Sequence, residues 1–248
     1  MSASKQLADI YHGCIVFFID KTYGAQLNAD VCIKIGRNNK SKQYCNISRS
    51  EIAECSGCKS TSYAAFHVAI IIREAMEISD ERFKIIHASE DVGVVEEPLI
   101  TACGRIMQEQ HSTSGTDPVV IELRFYKVND ITASDKTLCD QIVTSARKYC
   151  GYAYNDVFSN TCQNSQGQPA FYCCQLVRAV YDEVIKKQVF PTRCLKFGNV
   201  NNEVSSYWLK YFKDRHYPVP LNETGSHPDD LMRSNAVEYN CSRVVAIE

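Results

Sequence analysis

Apolar runs rich in β-branched and aromatic residues alternate with polar, turn-forming segments along this chain. Short runs of this composition, bounded by turn residues, predict buried strands. We expect strands at positions 12–19, 31–35, 66–73, 83–88, 92–95, 119–126 and 243–247, the fifth of them ended by Pro98.

Three further segments show helical periodicity. Residues 99–110 predict a short helix, and a second helix should begin at Ser134, whose side chain can cap it, and stop at Gly151. A third should run from Cys173 to about Lys187, with an apolar stripe along one side. Together the elements predict an α+β fold, with a mainly antiparallel sheet packed against a few helices.

Length and composition fit an ordinary globular protein. The chain has 248 residues, of which 45% are hydrophobic and 23% charged, so we expect one domain spanning residues 1–248. Residues 20–62 are polar and rich in turns, which predicts an insertion or a long loop region.

The charge balance and the lack of long apolar segments exclude several partners. A formal net charge of −2 gives no electrostatic reason to expect binding to nucleic acid or to an anionic membrane. No stretch approaches the ~18 apolar residues of an integral membrane segment. The first residues do not resemble a signal peptide, so a cytoplasmic location is the expectation.

Cysteines are numerous, and their number is odd. In a reducing compartment most of the 13 would be small buried apolar residues. Cys55 and Cys58 have the spacing of half a zinc site, but no second pair follows at a similar spacing. We interpret them as loop cysteines and expect neither a metal nor a cofactor; a metal protein built on this pair is the weakest of the alternatives.

Cys173 occupies a position that suits a nucleophile, because it begins a predicted helix. The free N–H groups and the dipole of a helix N-terminus favour a thiolate, and they can also hold an oxyanion formed on a carbonyl. The simpler interpretation is one more buried cysteine. Cys174 is a rival nucleophile, and helical spacing alone does not choose between the two.

Two histidines lie in apolar strands, which is an unusual setting. His67 is in the third predicted strand and His87 is near the end of the fourth. Each alone is more often a core histidine with satisfied nitrogens. As a pair on neighbouring strands, one could act as a general base and the other could orient it. The remaining four, His12, His111, His216 and His227, lie in polar or turn contexts typical of surface histidines.

These contexts resemble the NlpC-type cysteine peptidase superfamily. His67-Val68-Ala69-Ile70 resembles the motif of its base, Ile86-His87-Ala88-Ser89 the motif of its third polar residue, and Tyr172-Cys173-Cys174-Gln175-Leu176-Val177 its nucleophile helix. Because the cysteine follows the histidines, the order is similar to the circularly permuted, YiiX/YaeF-like branch of papain-fold amidases. Weaker matches are Gly13-Cys14-Ile15-Val16-Phe17, Gly151-Tyr152-Ala153-Tyr154-Asn155 and Pro228-Asp229-Asp230-Leu231.

The resemblance implies a permuted papain-like fold and assigns roles. Its register selects Cys173 as the nucleophile, His67 as the base and His87 as the residue that orients the base, with Tyr172 or Tyr154 as candidate helpers of the oxyanion or the substrate. Two positions depart from the pattern. Cys14 stands where the family usually has Asp, and Gln175 where it usually has Glu.

The function expected from this set is hydrolysis of an amide or ester through a thioester acyl-enzyme. The resemblance implies a peptide or lipid-linked amide as substrate, with acyl transfer as a variant of the same chemistry. The alternative from another class is a non-catalytic binding or regulatory module that keeps the fold. The sequence does not decide among these.

Overall fold

One seven-stranded sheet carries most of the core in this computed structural model, which describes residues 10–20, 32–35, 65–73, 83–110, 119–197 and 203–247. The strand order is β2-β11-β6-β1-β3-β4-β5, and every neighbouring pair is antiparallel except β2 with β11. The strands are β1 Ile15–Asp20, β2 Cys32–Ile35, β3 Ala65–Arg73, β4 Phe83–Ser89, β5 Gly93–Pro98, β6 Val119–Val128 and β11 Val237–Ile247.

Two short ribbons lie outside the large sheet and lead into helices. In the first, β7 (Ala153–Tyr154) pairs in parallel with β8 (Ala170–Phe171). In the second, β9 (Arg193–Cys194) pairs with β10 (Thr224–Gly225) in antiparallel fashion. The described part of the chain has five helices: α1 Leu99–Gln110, α2 Lys136–Lys148, α3 Cys173–Ile185, α4 Ser206–Asp214 and α5 Pro228–Met232. The predicted α+β class with a mainly antiparallel sheet is therefore confirmed.

Helix α3 has clear physical limits. Tyr172 precedes it in an extended conformation, and Lys186 ends it with a positive φ of 63°, the left-handed conformation that stops many helices. Its apolar side is buried against β3 and β4, while α2 packs alongside. The first residue of α3 is consequently held at the sheet surface.

Several predicted boundaries were wrong by a few residues. Helix α2 is capped by Asp135, whose carboxylate accepts the Leu138 N–H at 3.0 Å, and not by Ser134. Strand β5 begins at Gly93 instead of residue 92, and beyond the apolar run it includes two glutamates before it ends at Pro98, the proline that was expected to end it. Strand β11 begins at Val237, six residues before the apolar run that predicted it. In each case pairing with a neighbouring strand or a local cap overrode the apolar pattern.

The central strands are buried on both faces, which explains their almost continuous apolar sequence. All side chains of β1 from Ile15 to Ile19 are fully buried, as are those from Val68 to Ile72 in β3. Among the described residues, no helix is long and apolar enough to cross a membrane. Most of the predicted insertion at 20–62, including Cys55 and Cys58, lies outside the described residues.

Candidate active site

Three adjacent strands place His67, His87 and Glu97 on one face of the sheet. Ile70 of β3 lies opposite Ile86 of β4, so His67 and His87 both project to the face opposite to these two isoleucines. His87 lies opposite Val95 of β5, and Glu97, two residues further along, shares the face of Val95. The register therefore produces a diagonal row of three polar side chains in an otherwise apolar sheet.

The members of this row are joined by hydrogen bonds. His67 Nε2 lies 2.8 Å from His87 Nδ1, with the two rings perpendicular, and His87 Nε2 lies 2.7 Å from Glu97 Oε1. Glu97 also forms an ion pair with Arg105 of α1, which in turn contacts Asp91 at 3.2 Å. The row thus ends in a charged pair near the surface.

The hydrogen bonds fix which nitrogens carry protons. Burial of the His87 ring, which has no exposed surface, lowers its pKa to about 4, so this ring is neutral at pH 7 and has one N–H. The carboxylate of Glu97 only accepts, so the N–H of His87 is on Nε2 and its Nδ1 is an acceptor. His67 must then donate its Nε2–H to His87, which leaves His67 Nδ1 as the atom that can accept a proton.

Cys173 lies at the open end of this row. Its side chain is 8% exposed, and its pKa is lowered well below the ordinary value. The largest cause is a hydrogen bond with the Cys174 thiol, and a hydrogen bond and the charge of His67 act in the same direction against the effect of burial. The first N–H of the helix to bond backwards is that of Leu176, and Tyr172 makes no side-chain cap, so the N–H groups before Leu176 have no partner within the helix.

The two adjacent thiols are not equivalent. Their sulfur atoms are 4.0 Å apart, and Cys174 is 1% exposed. Burial is the largest cause that raises the pKa of Cys174 well above its ordinary value, and the neighbouring Cys173 raises it further. Cys174 therefore remains a thiol that can donate to Cys173, and of the two thiols it is Cys173 whose pKa His67 lowers. The structure joins His67 to His87 by a hydrogen bond, and the pKa of Cys173 is lowered in part by His67.

The two candidate tyrosines have different surroundings. The hydroxyl oxygen of Tyr172, which is buried, accepts a hydrogen bond from the N–H of Ser226 at 3.3 Å. Tyr154 is half-buried in β7, opposite Phe171, and lines a cavity of about 620 Å³. The residues that line this cavity include Asp156 and Arg215 but not Cys173, His67 or His87, so this cavity does not enclose the thiol.

The two departures from the family pattern have their own structural roles. Burial raises the pKa of Cys14, in the core beneath the sheet, to about 12, so it is a neutral apolar residue there. Gln175 uses its amide to join α3 to the loop before it. Its oxygen accepts from the Asn155 amide at 2.8 Å, and its nitrogen donates to the Ser159 carbonyl at 2.9 Å. A neutral amide suits both contacts.

Sequence reasoning missed three residues of this region. Glu97 and Arg105 follow the apolar run of β5, so no pattern marked them. His227 was interpreted as a surface residue, but it is partly buried at the start of α5, and it is among the groups that lower the pKa of Cys173. The one signal in the sequence was that Glu96 and Glu97 follow the apolar run of β5 directly, in a strand next to the one that carries His87. Among the residues with described positions, no group of three or more His, Cys, Asp or Glu side chains could hold a metal ion.

Comparison with known proteins yields a similarity of fold. No model of a protein family matches the chain, and no curated protein sequence does either. The fold of this chain is similar to that in the crystal structure of metalloprotein yiiX from Escherichia coli O157:H7, DUF1105. The two chains share 14% sequence identity, and the TM-score is 0.56. The match covers 94% of this chain and 97% of that chain, so the likeness extends over the whole fold.

Proposed function

We propose that this protein is a cysteine hydrolase with a permuted papain-like fold, which cleaves an amide or an ester through a thioester. The observation that carries the proposal is the row of hydrogen-bonded side chains from His67 through His87 to Glu97, with the Cys173 thiol, whose pKa His67 helps to lower, beside the His67 end of the row. A thiol with a lowered pKa, a base in the correct tautomer and a group that orients the base are the three parts that nucleophilic catalysis by cysteine requires.

The first half of the reaction follows from the proton positions. His67 Nδ1 takes the thiol proton, and the sulfur of Cys173 attacks the carbonyl carbon, whose π electrons move to its oxygen. When the oxyanion collapses, the bond to the amine or alcohol breaks, and His67 gives its proton to that leaving group. His87 keeps the Nε2–H bond of His67 throughout, so the ring does not turn.

The second half regenerates the thiol. His67 Nδ1 takes a proton from water, and the resulting hydroxide attacks the thioester carbonyl. Collapse of this second oxyanion releases the acid product and the Cys173 sulfur, which recovers its proton from His67. The backbone N–H of Cys173, at the start of α3, is the candidate donor to both oxyanions, with Tyr172 or Tyr154 as candidate side-chain helpers.

The order of the elements supports the permuted form of the fold. The strands that carry His67 and His87 precede the helix that carries Cys173, and 94% of the chain is covered by the match to the yiiX structure. That similarity at 14% identity concerns the fold. The assignment of an amidohydrolase type, and of a peptide or lipid-linked substrate, rests on the site and on the motifs that resemble the NlpC-type superfamily.

The yiiX structure is described as that of a metalloprotein, which raises the question of whether the residues of this site suit a metal ion. Both nitrogens of His87 and the Nε2 of His67 are engaged in hydrogen bonds with one another and with Glu97. A metal ion would need those lone pairs, and His87 has none to offer while it bonds both partners. The residues of this site do not fit a metal, and the mechanism uses none.

The test is covalent labelling of the purified protein with p-nitrophenyl acetate, followed by mass spectrometry of the labelled peptides. We expect acetylation of Cys173 that is lost in Cys173→Ser and strongly slowed in His67→Gln. Cys174→Ser is the matched control, because it changes the adjacent residue and should keep the label. Turnover after the first acetylation, seen as continued release of p-nitrophenolate, distinguishes hydrolysis from a single modification.

Two outcomes would replace the proposal with one of its alternatives. A folded protein that is not acetylated at Cys173 is a binding or regulatory module that keeps the fold. A protein that is acetylated but passes the acetyl group to an added primary amine faster than to water is an acyltransferase. Circular dichroism of each variant separates loss of chemistry from loss of folding.

A further inference from the structure

The segment that contains His227 lies against the beginning of the nucleophile helix. Strand β8 leads through Tyr172 into α3, and strand β10 leads through Ser226 and His227 into α5. The two connections touch, because the Ser226 N–H donates to the Tyr172 hydroxyl at 3.3 Å. Helix α5 also packs against β3, where Asp229 accepts the Ala65 N–H at 3.5 Å. The residue before α5 is therefore held beside both Cys173 and the strand of His67.

The ring of His227 is fixed by its role as the cap of α5. Its Nδ1 accepts the N–H of Asp229 at 3.3 Å, and its own backbone N–H donates to Asp230 at 3.1 Å. This reciprocal capping box satisfies two backbone donors and sets the orientation of the imidazole. The other ring nitrogen, Nε2, takes no part in the cap.

The cap also fixes the tautomer. Burial is the largest cause that lowers the pKa of His227, and Arg193 lowers it further, whereas Asp230, Cys173 and Asp229 raise it. The ring is neutral at pH 7, and its Nδ1 is an acceptor, so its one N–H is on Nε2. Tyr172 and Ser226, the residues immediately before Cys173 and His227, are in contact, and Cys173 and His227 each shift the pKa of the other, which agrees with that contact.

We propose that His227 is a third histidine of the active site, whose Nε2–H donates to the oxyanion formed when Cys173 attacks a carbonyl. This inference rests on the proposed function. In the step concerned, the S–C bond forms, the carbonyl π electrons move to oxygen, and that oxygen accepts hydrogen bonds from His227 Nε2–H and from the backbone N–H of Cys173. His227 transfers no proton, so the proton balance remains that of Cys173 and His67.

Two other roles are possible for a histidine in this place, and each makes a different prediction. A residue that only caps α5 would affect stability but neither reaction of the thiol. A second base for Cys173 would affect every reaction of the thiolate, including those without an oxyanion. An oxyanion donor affects only attack on a carbonyl.

Two variants separate the functions of the two ring nitrogens. In His227→Asn the amide oxygen can replace Nδ1 as the cap, since asparagine is a favoured N-cap residue, but the side chain does not reach the position of Nε2. In His227→Gln the amide nitrogen reaches the position of Nε2 and can donate there, whereas the cap is weakened. Chemical denaturation of both proteins checks that the fold is kept.

Two probes separate the two kinds of reaction at Cys173. Iodoacetamide loses iodide to the thiolate in a direct displacement that forms no oxyanion. Attack on p-nitrophenyl acetate passes through an oxyanion before p-nitrophenolate leaves. Rates are measured at Cys173 by mass spectrometry of the labelled peptides, because other thiols, including the exposed Cys150 and Cys194, also react.

We expect His227→Asn to lose on the order of 100-fold in acetylation rate, with alkylation unchanged within about 3-fold. His227→Gln should recover most of the acetylation. Equal losses with both probes would overturn the proposal in favour of a base, and equal rates in all three proteins would reduce His227 to a cap. If the unaltered protein does not react at Cys173 with p-nitrophenyl acetate, the proposed function itself fails, which is a separate outcome.

Discussion

Acidification should destabilise this protein through His87, because a buried neutral histidine must gain a charge. Its pKa falls from an ordinary value near 6.5 to about 4 in the folded state, chiefly through burial. The unfolded chain therefore binds more protons between these two values, so the stabilisation is fully present above pH 6.5 and is lost as the pH falls towards 4. Between about pH 7.5 and pH 4.5 this single group should remove about 2.5 kcal/mol from the free energy of unfolding.

The assay is urea denaturation at both pH values for the unaltered protein and for His87→Gln, which cannot titrate. The loss on acidification should be about 2.5 kcal/mol smaller in the variant. Ile86→Val, a nearby buried change that should cost about 0.5–1.5 kcal/mol, controls for lower stability alone and should lose as much on acidification as the unaltered protein. If the free energy of unfolding falls by the same amount on acidification in all three proteins, His87 is not buried as a neutral ring.

Three further predictions concern the supporting residues. Gly93→Ala should cost at least about 2 kcal/mol in urea denaturation, because φ is +72° and the added Cβ would collide with the Tyr152 carbonyl oxygen, whereas Gly104→Ala in α1, with open space around the Cβ, should gain about 0.5–1 kcal/mol. Cys174→Ala should raise the pH at which iodoacetamide reacts half-maximally with Cys173, and Cys174→Ser should keep it low, since only serine retains a donor. Glu97→Ala leaves the His87 N–H buried without its acceptor, so it should cost about 1–3 kcal/mol and slow the turnover of p-nitrophenyl acetate, which needs proton transfer by His67. Glu97→Gln still accepts that N–H, so both effects should be smaller.

The sequence predicted the elements that carry the site, because each has a strong local signal. The apolar runs around His67 and His87 predicted β3 and β4, and the periodicity after Cys173 predicted α3 to within two residues of its end. The face on which each histidine lies depends on the pairing of two strands. That register is a tertiary property, and the family motifs suggested it where the apolar pattern could not.

The sequence pattern could not predict the residues that join the site only through tertiary packing. Glu97 belongs to the site because β5 pairs with β4 so that its carboxylate meets His87, and the apolar pattern stops before it. His227 comes close to Cys173 because the connections before α3 and α5 touch at Tyr172 and Ser226. A polar residue after a turn looks the same in sequence whether it faces solvent or a thiol.

The sheet and the helix contribute different properties to the site: the sheet fixes the tautomers of the two histidines, and the start of α3 contributes most to the lowered pKa of Cys173. Glu97 is separated from His67 by the neutral ring of His87, so its charge acts on His67 only weakly, and its main effect is to fix the tautomer of both rings. The lowered pKa of Cys173 comes first from the hydrogen bond with Cys174 and then from His67, against the effect of burial. Changes in β5 should therefore alter the efficiency of proton transfer with little effect on the pKa of Cys173, while changes at the start of α3 should move that pKa.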